Sequence, residues 1–541
     1  MERRPGDRAW VYRSVAVVAA AVLLTGACAG NGDDGPDAPD QAEVPQELVV
    51  GAGDDAYETK GDTAQVGQYP VNANIFEGLV KMDADYGIVS ALATEWEFEA
   101  PNTWRFTLRD GVTFHDGQPF DANAVKYTFD RVAKAGGGTP GFGEDSTKVI
   151  DDLTVEVTPT FENRRFVEQI VHPEYSIVAP GTIPSLGKTP EETPVGTGPF
   201  KFVEYQRQQQ LVVERFDDYW GEPATLDKLT FRFIPEANAR RLALEAEEVD
   251  LIVDAPREAI ADLEAKGFVT SPSDVGAYEA LYANISGKKG YTILQDRAVR
   301  QAVSYAIDRD TLVEGVFEGL AANEQTMIPA RLLGDSAELI EPYPHDPEEA
   351  ALLLDDAGWT EGTGGIREKD GQPLTLELIN GFPTAQAHSS VPEFVQAQLK
   401  EVGIDVKIVA TPDTPAYEER LNAGEGDLWI EQGSQNDANP AFLPALLFWS
   451  EGLFGDIGYQ PLFAPGGQFD DIIVDALATP DPDEVKELVA QAMSILIEDE
   501  AIVIPLAGIY RINVMSSEVQ GFEPQPSQLQ VRYDTVSMTE G

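Results

Sequence analysis

Trp104-Arg105-Phe106-Thr107-Leu108-Arg109-Asp110-Gly111-Val112-Thr113-Phe114-His115-Asp116-Gly117 alternates apolar and polar side chains as far as Leu108, then breaks at Asp110-Gly111. That period of two puts Trp104, Phe106 and Leu108 on one face of a half-buried strand. A few residues later the period changes. Asp121 is placed to cap a helix whose Val125, Phe129 and Val132 lie on one stripe. Further along, Leu229, Phe231 and Phe233 read as another strand, and Val299, Ala302, Val303 and Ala306 recur at helical spacing. Asp346-Pro347-Glu348-Glu349 has the order of a helix start: a capping side chain, proline in the first turn and acid at the third position. Gly358 is free to take the positive φ that ends that helix. Strands and helices alternate with no internal repeat, which predicts a mixed α/β protein.

The 541 residues are 43% hydrophobic, enough for three or four domain-sized units or two large lobes. The formal net charge of −55 works against nucleic-acid binding, which needs a Lys/Arg footprint on phosphate. It equally disfavours adhesion to anionic lipid through charge. A single cysteine excludes an internal disulfide and any thiolate-built metal site. The four histidines, His115, His172, His345 and His388, are scattered without metal-ligand spacing, and no nucleophile-elbow motif is present. No catalysis, resident metal or cofactor is expected. Gly196-Thr197-Gly198-Pro199 lacks the following lysine of a phosphate loop and reads as a turn, His115 as a hydrogen-bonded turn histidine. Arg300 and Asp308 read as surface or interdomain partners on one helix.

Four arginines precede residue 14, the apolar run Val15–Leu24 follows, and Thr25-Gly26-Ala27 leads to Cys28. This is the order of a secretory signal, residues 1–27. Ten apolar residues span about half of a roughly 30 Å hydrocarbon core, too few for a crossing helix. The small residues before Cys28 resemble a lipobox, in which the cysteine is lipidated, although Thr25 stands where that pattern prefers leucine. An ordinary secretory cut with an incidental cysteine is the alternative. Residues 28–46 are acidic, carry prolines and no base, and read as a flexible tether.

A series of segments then carries a resemblance. In order they are Asn74–Val80, Leu92–Trp96, Phe106–Gly117, Gly196–Phe200, Tyr219-Trp220 with Leu229–Ile234, Arg297–Ala302 with Ala306–Arg309, Asp346–Trp359 and Ile502–Leu506. Together they resemble the peptide-type extracytoplasmic solute-binding proteins of ABC importers, the oligopeptide, dipeptide and nickel group known as family 5. The resemblance implies a periplasmic-binding-protein-like α/β fold of two lobes closing about a hinge. The first lobe would comprise residues 47–81 and 191–285, with a subdomain inserted at 82–190. The second would run from 286 to 500, and 501–541 would return to the first. It also implies a monomer on the extracytoplasmic face, held to the membrane through Cys28, that hands a peptide or other small solute to ABC permease subunits.

Peptide-binding members of that family hold the ligand's α-amino group with an aspartate four residues before a proline. The corresponding stretch here is Asp427-Leu428-Trp429-Ile430-Glu431 followed by Gln435-Asn436-Asp437-Ala438-Asn439-Pro440. Four residues before Pro440 stands Asn436, and Asp437 comes one later. The candidate ligand residues are therefore Trp429, Asn436 and Asp437, with Asp437 able to supply the charge-assisted bond an ammonium prefers. The alternative is that Asn436, Asp437 and Asn439 only cap a turn. An oligosaccharide on aromatic platforms, a nickel complex, and a sensor or adhesion role on the same scaffold also stay open.

Cys28 yields a direct expectation. Cys28→Ser will move the protein from the membrane fraction to the soluble envelope or medium, read by fractionation and immunoblot; unchanged membrane retention would refute lipidation at that residue.

Overall fold

The protein is described by a computed structural model covering residues 44–53, 72–134, 142–143, 145–182, 194–324, 326–380, 390–411, 414–450, 467–527 and 529–540. The signal segment, Cys28 and most of the tether lie outside the described residues.

In chain order, β1 (Glu47–Ala52) precedes a subdomain of four antiparallel strands: β2 (Ala93–Glu99), β3 (Thr103–Leu108), β4 (Thr147–Asp151) and β5 (Thr154–Val157). These are ordered β2-β3-β5-β4. Helix α1 (Ala122–Lys134) buries Val125, Phe129 and Val132, and the Asp121 carboxylate accepts from the Asn123 and Ala124 N–H groups as predicted. A short helix, α2 (Phe166–Gln169), follows. Then come β6 (Phe200–Gln206), β7 (Gln210–Arg215), β8 (Lys228–Phe233), β9 (Leu251–Ile252) and the long β10 (Val269–Ala283). The remainder comprises α3 (Arg297–Tyr305), α4 (Arg309–Gly315), α5 (Pro347–Asp356), β11 (Thr375–Asn380), α6 (Val391–Glu401), β12 (Asp405–Ala410), α7 (Thr414–Ala423), β13 (Leu428–Ser434), α8 (Phe442–Leu447), α9 (Gln468–Ala478), α10 (Pro482–Ser494) and β14 (Val503–Met515).

One eleven-stranded sheet runs β12-β11-β13-β10-β14-β9-β1-β8-β7-β6, with Ala321–Ala322 paired to β14. It has two halves. On one side β11, β12 and β13 are mutually parallel about β11, and Leu376, Leu378, Val395 and Leu399 bury a core there. On the other, β1 pairs in parallel with β8 and β9, with Val50, Phe231 and Leu251 in a separate core. This is the mixed α/β, two-lobed architecture expected from the sequence.

The two halves meet along β10 and β14, paired antiparallel almost throughout. Near the middle the register steps from Asp274–Tyr510 to Ala277–Ile509, so Val275 and Gly276 are extra residues in a bulge. Gly276 sits at φ +60°, and a Cβ there would lie 2.8 Å from the Tyr86 hydroxyl and 2.9 Å from Pro329 Cγ. Glycine is required twice over, by dihedral and by space.

Several sequence expectations meet their structure here. Asp346 accepts from the N–H groups of Glu348 and Glu349, and Gly358 takes φ +85°. His115 Nε2 lies 2.9 Å from the Gly198 carbonyl, joining its own turn to the glycine turn at 196–198. A Cβ on Gly198 would come within 2.6 Å of the Asn74 carbonyl, so close backbone approach explains that glycine. Arg300 and Asp308 correct the expectation. They do not share a helix: Asp308 caps α4, while Arg300 on α3 is buried and bonded to the Glu500 carbonyl and carboxylate. The helix breaks at Ala306–Ile307, a stop that carries neither glycine nor proline to announce it.

Gly276→Ala will destabilise this arrangement of the two halves. A left-handed backbone costs a residue with a Cβ roughly 1–2 kcal/mol, and the new methyl pushes on Tyr86 and Pro329. Small-angle scattering should show a larger radius of gyration than wild type under ligand-saturating conditions; an identical profile and melt would remove the bulge from the hinge.

Candidate functional site

Strand alternation decides which side chains β10 and β13 send towards the other half. Leu428 and Ile430 point into the core beneath β11 and β12, so Trp429, Glu431 and Gly433 occupy the opposite face. On β10, Leu281 and Ala283 share that core while Tyr278, Ala280 and Tyr282 face the same way as Trp429. The register sets Tyr282 against Trp429, Ala280 against Glu431 and Tyr278 against Gly433. Glycine stands at 433 because the Tyr278 phenol lies over it, where any Cβ would collide. The Tyr282 hydroxyl donates to that of Tyr278 at 3.0 Å.

Segments on either side of this face touch. Phe161 packs edge-on against Trp449 at 5.2 Å, and the Arg164 N–H donates to the Leu477 carbonyl at 2.8 Å. Arg165 Nη2 reaches the Thr479 carbonyl at 3.3 Å, and the Ala438 N–H reaches the Glu168 carbonyl at 3.4 Å. Residues 161–171, sequence neighbours of the four-stranded subdomain, thus close over the loop that follows β13.

That loop contains the predicted residues. Trp429 is fully buried, and its indole N–H donates to the Glu425 carbonyl at 2.8 Å. Asn436 is partly buried and accepts from the Ser527 hydroxyl at 3.2 Å. Asp437 is fully buried. Its Oδ1 accepts from the Asn439 N–H at 2.9 Å and from Gln435 Nε2 at 3.0 Å. Its Oδ2 has no hydrogen-bond partner, nor do Asn439 Nδ2 and Gln435 Oε1 beside it. Asp437 and Asn436 share the loop, while Trp429 lies on the adjoining strand. Part of Asp437 does cap a turn, and part of it is left over.

Sequence reasoning missed the acids around it. Glu168 on α2 pairs through Oε1 with Arg165 at 2.9 Å, and its Oε2 is buried without a partner. Burial pushes the Glu168 carboxyl up to about 7 against the pull of Arg165. Burial also holds Asp437 well above the usual carboxylate range, and the negative charges of Glu168 and Glu174 add to it. Glu431 rises to about 7 through loss of solvent alone. His172, partly buried, is pushed down by loss of solvent and sits 3.9 Å from Glu174. Among 93 acids only the strand alternation of Trp429, Glu431 and Gly433 could have marked one of these beforehand.

Among the described residues, no group of three or more His, Cys, Asp or Glu side chains is placed to hold a metal ion, and no helix is long and apolar enough to cross a membrane. A concavity of about 440 Å³ lies elsewhere, over Thr94, Trp96 and Arg105 on the four-stranded sheet. It is an open polar sheet face, where Arg105 is already paired with Glu99 and Glu156.

Known proteins bear on this geometry. Residues 87–452 match the profile of the bacterial extracellular solute-binding proteins, family 5, middle region. The chain is 28% identical over 504 residues to the glutathione-binding protein GsiB of Pectobacterium atrosepticum, covering 90% of this chain and 92% of that one. It is 28% identical over 488 residues to the nickel-binding periplasmic protein of Escherichia coli, covering 85% and 89%. Among solved structures, NikA from Brucella suis in complex with Fe(III)-EDTA superposes with TM-score 0.79 at 26% identity, covering 91% of this chain and 100% of that one. The ABC transporter-associated DppA from Helicobacter pylori in complex with the peptide STSA gives 0.74 at 25%, covering 91% and 98%.

The raised carboxyls make stability depend on pH. A carboxyl whose folded-state pKa lies above its unfolded value keeps its proton longer in the folded protein, so its contribution is present at low pH and lost as pH rises. For Glu168 and Glu431 that window runs from about 4.5 to about 7. The empty protein will therefore lose stability across it, by at most about 1.4 kcal/mol per pH unit for each group. Glu168→Gln and Glu431→Gln should each flatten the decline in denaturant melts; parallel curves for wild type and variants would contradict it.

Proposed function

The chain belongs to family 5 of the bacterial extracellular solute-binding proteins, and from that premise we propose that it captures a peptide between its two lobes and delivers it to the permease of an ABC importer. The observation that carries this reading is the Asp437 carboxylate, fully buried at the junction with one oxygen unpartnered. A peptide's terminal ammonium is a donor suited to that oxygen, giving a charge-assisted hydrogen bond. Asn436 adds a neutral contact on the same loop, and Trp429 forms the floor behind it. Main-chain hydrogen bonds to an extended peptide supply the rest of the affinity without demanding particular side chains.

Closure then follows from linkage. A ligand that contacts both halves only when they are shut shifts the hinge equilibrium by its differential affinity for that state. The permease reads the closed shape, and the solute leaves chemically unchanged. Lipidated Cys28 and the acidic tether keep the body beside the membrane on the extracytoplasmic side. Two similar proteins are a nickel-binding periplasmic protein and NikA in complex with Fe(III)-EDTA. A chelate such as Fe(III)-EDTA is anionic and brings no donor for the unpartnered oxygens of Asp437 and Glu168, so a peptide with a free amine is the better fit.

Asp437→Asn tests the anchor. Losing a hydrogen bond to a charged group costs roughly 1.5–3 kcal/mol, so peptide affinity should fall about ten- to a hundredfold by calorimetry. The melt of the empty protein should barely move, because an amide oxygen still accepts from the Asn439 N–H. A lowered melt with unchanged affinity would make Asp437 a turn cap and end the amine-anchor reading.

A further inference from the structure

Glu431 has no part in the anchor just described. It stands on β13 between Trp429 and Gly433, opposite the small side chain of Ala280. Beyond the strand ladder, no side-chain hydrogen bond or ion pair reaches it among the described residues. Two phenols lie near it, Tyr278 on β10 and Tyr417 on α7, and both are pushed up by burial and by the Glu431 charge. Phenols donate hydrogen bonds but bring no positive charge.

We propose that the solute carries a second positive charge, held by Glu431 on the floor of the interlobe space while Asp437 holds the first. This rests on the reading of Asp437 as the amine anchor, and it narrows the solute to a basic peptide or similar dication.

Two independent observations point to a missing cation. Glu431 lacks any counter-charge, and Asp437 Oδ2 and Glu168 Oε2 are buried without partners. The base beside them, Arg165, is bonded through Nη1 and Nη2 to Glu168 Oε1 and to the carbonyls of Thr479 and Pro480, and its Nε is buried without a partner. His172, partly buried and pushed down, stays neutral and brings no charge. Charge without a partner is strongly disfavoured where it is buried, as at Asp437, and less so at the partly buried Glu431; a carboxyl so placed tends to keep its proton. When a dication enters, Glu431 and Asp437 each give up a proton to solvent and form an ion pair. Binding therefore releases protons, and affinity rises with pH through the range in which Glu431 titrates. The net charge of −55 also favours encounter with a cation.

Titration calorimetry with trilysine, trialanine and triglutamate at pH 7, in phosphate and in Tris, tests the proposal on the purified protein. Trilysine should bind at least about tenfold more tightly than trialanine. It should show net proton release, seen as a difference in heat between the two buffers. Glu431→Gln should lower trilysine affinity about tenfold and leave trialanine within about twofold. If trialanine or triglutamate binds as tightly as trilysine, or if Glu431→Gln weakens all peptides alike, the second charge site is wrong while peptide capture stands. If no peptide binds but 1,5-diaminopentane does, in a manner lost in Glu431→Gln, the charge site stands and the peptide reading falls. If none of the four compounds binds, both fall. Proton uptake by the empty protein with no coupling to ligand would reduce Glu431 to a buried acid without a role in binding.

Discussion

The backbone ladder between Val269–Ala283 and Val503–Met515 is the constraint on which the two lobes depend. Each strand takes part in both halves of the sheet: β14 pairs with β9 at Met515 and Val514, while β10 pairs with β13 from Ala277 to Ala283. Buried N–H and C=O groups must be bonded, so the ladder resists separation along its length. Where it is interrupted, at Val275-Gly276, it can bend at low cost. A fold that must open and shut keeps its continuity in the strands and its freedom in a two-residue bulge.

Buried charges differ in how completely they are bonded, and the difference supports the proposed site. At Arg300 and Glu77 they are satisfied, although Asp470 Oδ2 and Arg257 Nε are also buried without a hydrogen-bond partner. Arg300 donates to the carbonyls of Glu500, Leu294 and Gln295 as well as to the Glu500 carboxylate. Glu77 accepts from the Thr197 hydroxyl, the Tyr219 hydroxyl and the Trp220 indole N–H. Around Asp437 the account does not close: acceptor oxygens on Asp437, Gln435 and Glu168 and the donor on Asn439 are buried together and unmatched. Native structures leave few such atoms, and a group of them in one place needs a reason. The proposed solute would supply one.

Much of the scaffold was legible because its signals are local. The Trp104–Leu108 alternation, the Asp121 and Asp346 caps and the glycine at 358 each depend on neighbours within a few residues. Close approach at Gly198 is long-range, yet the small residue itself marked the turn. The interlobe site was less legible. Asp437 and Asn436 were found through a loop position, but whether a carboxylate is bonded or orphaned depends on residues far away in sequence, such as Glu168. Trp429 was singled out as an aromatic, and its indole N–H proves to be occupied by Glu425. Arg300 was misread because a helix stop without glycine or proline left α3 and α4 looking continuous. An acid-rich composition hid Glu431, since one carboxylate among many carries no signal until its face of the strand is known.

The orphaned groups also explain why closure should wait for a solute. On the proposed reading, an open form exposes Asp437, Asn439 and Glu168 to water, which makes their hydrogen bonds. Shutting the lobes without ligand strips that water and leaves each group unsatisfied, at about 1–3 kcal/mol apiece. Contacts such as Phe161 on Trp449 and the Arg164 N–H to Leu477 favour closure, and the unmatched polar atoms oppose it. A ligand whose ammonium and amide groups match those atoms removes the opposition while adding contacts of its own. The same residues that would bind the solute thereby hold the empty protein away from the shape a permease recognises, and selectivity for the occupied state requires no separate device.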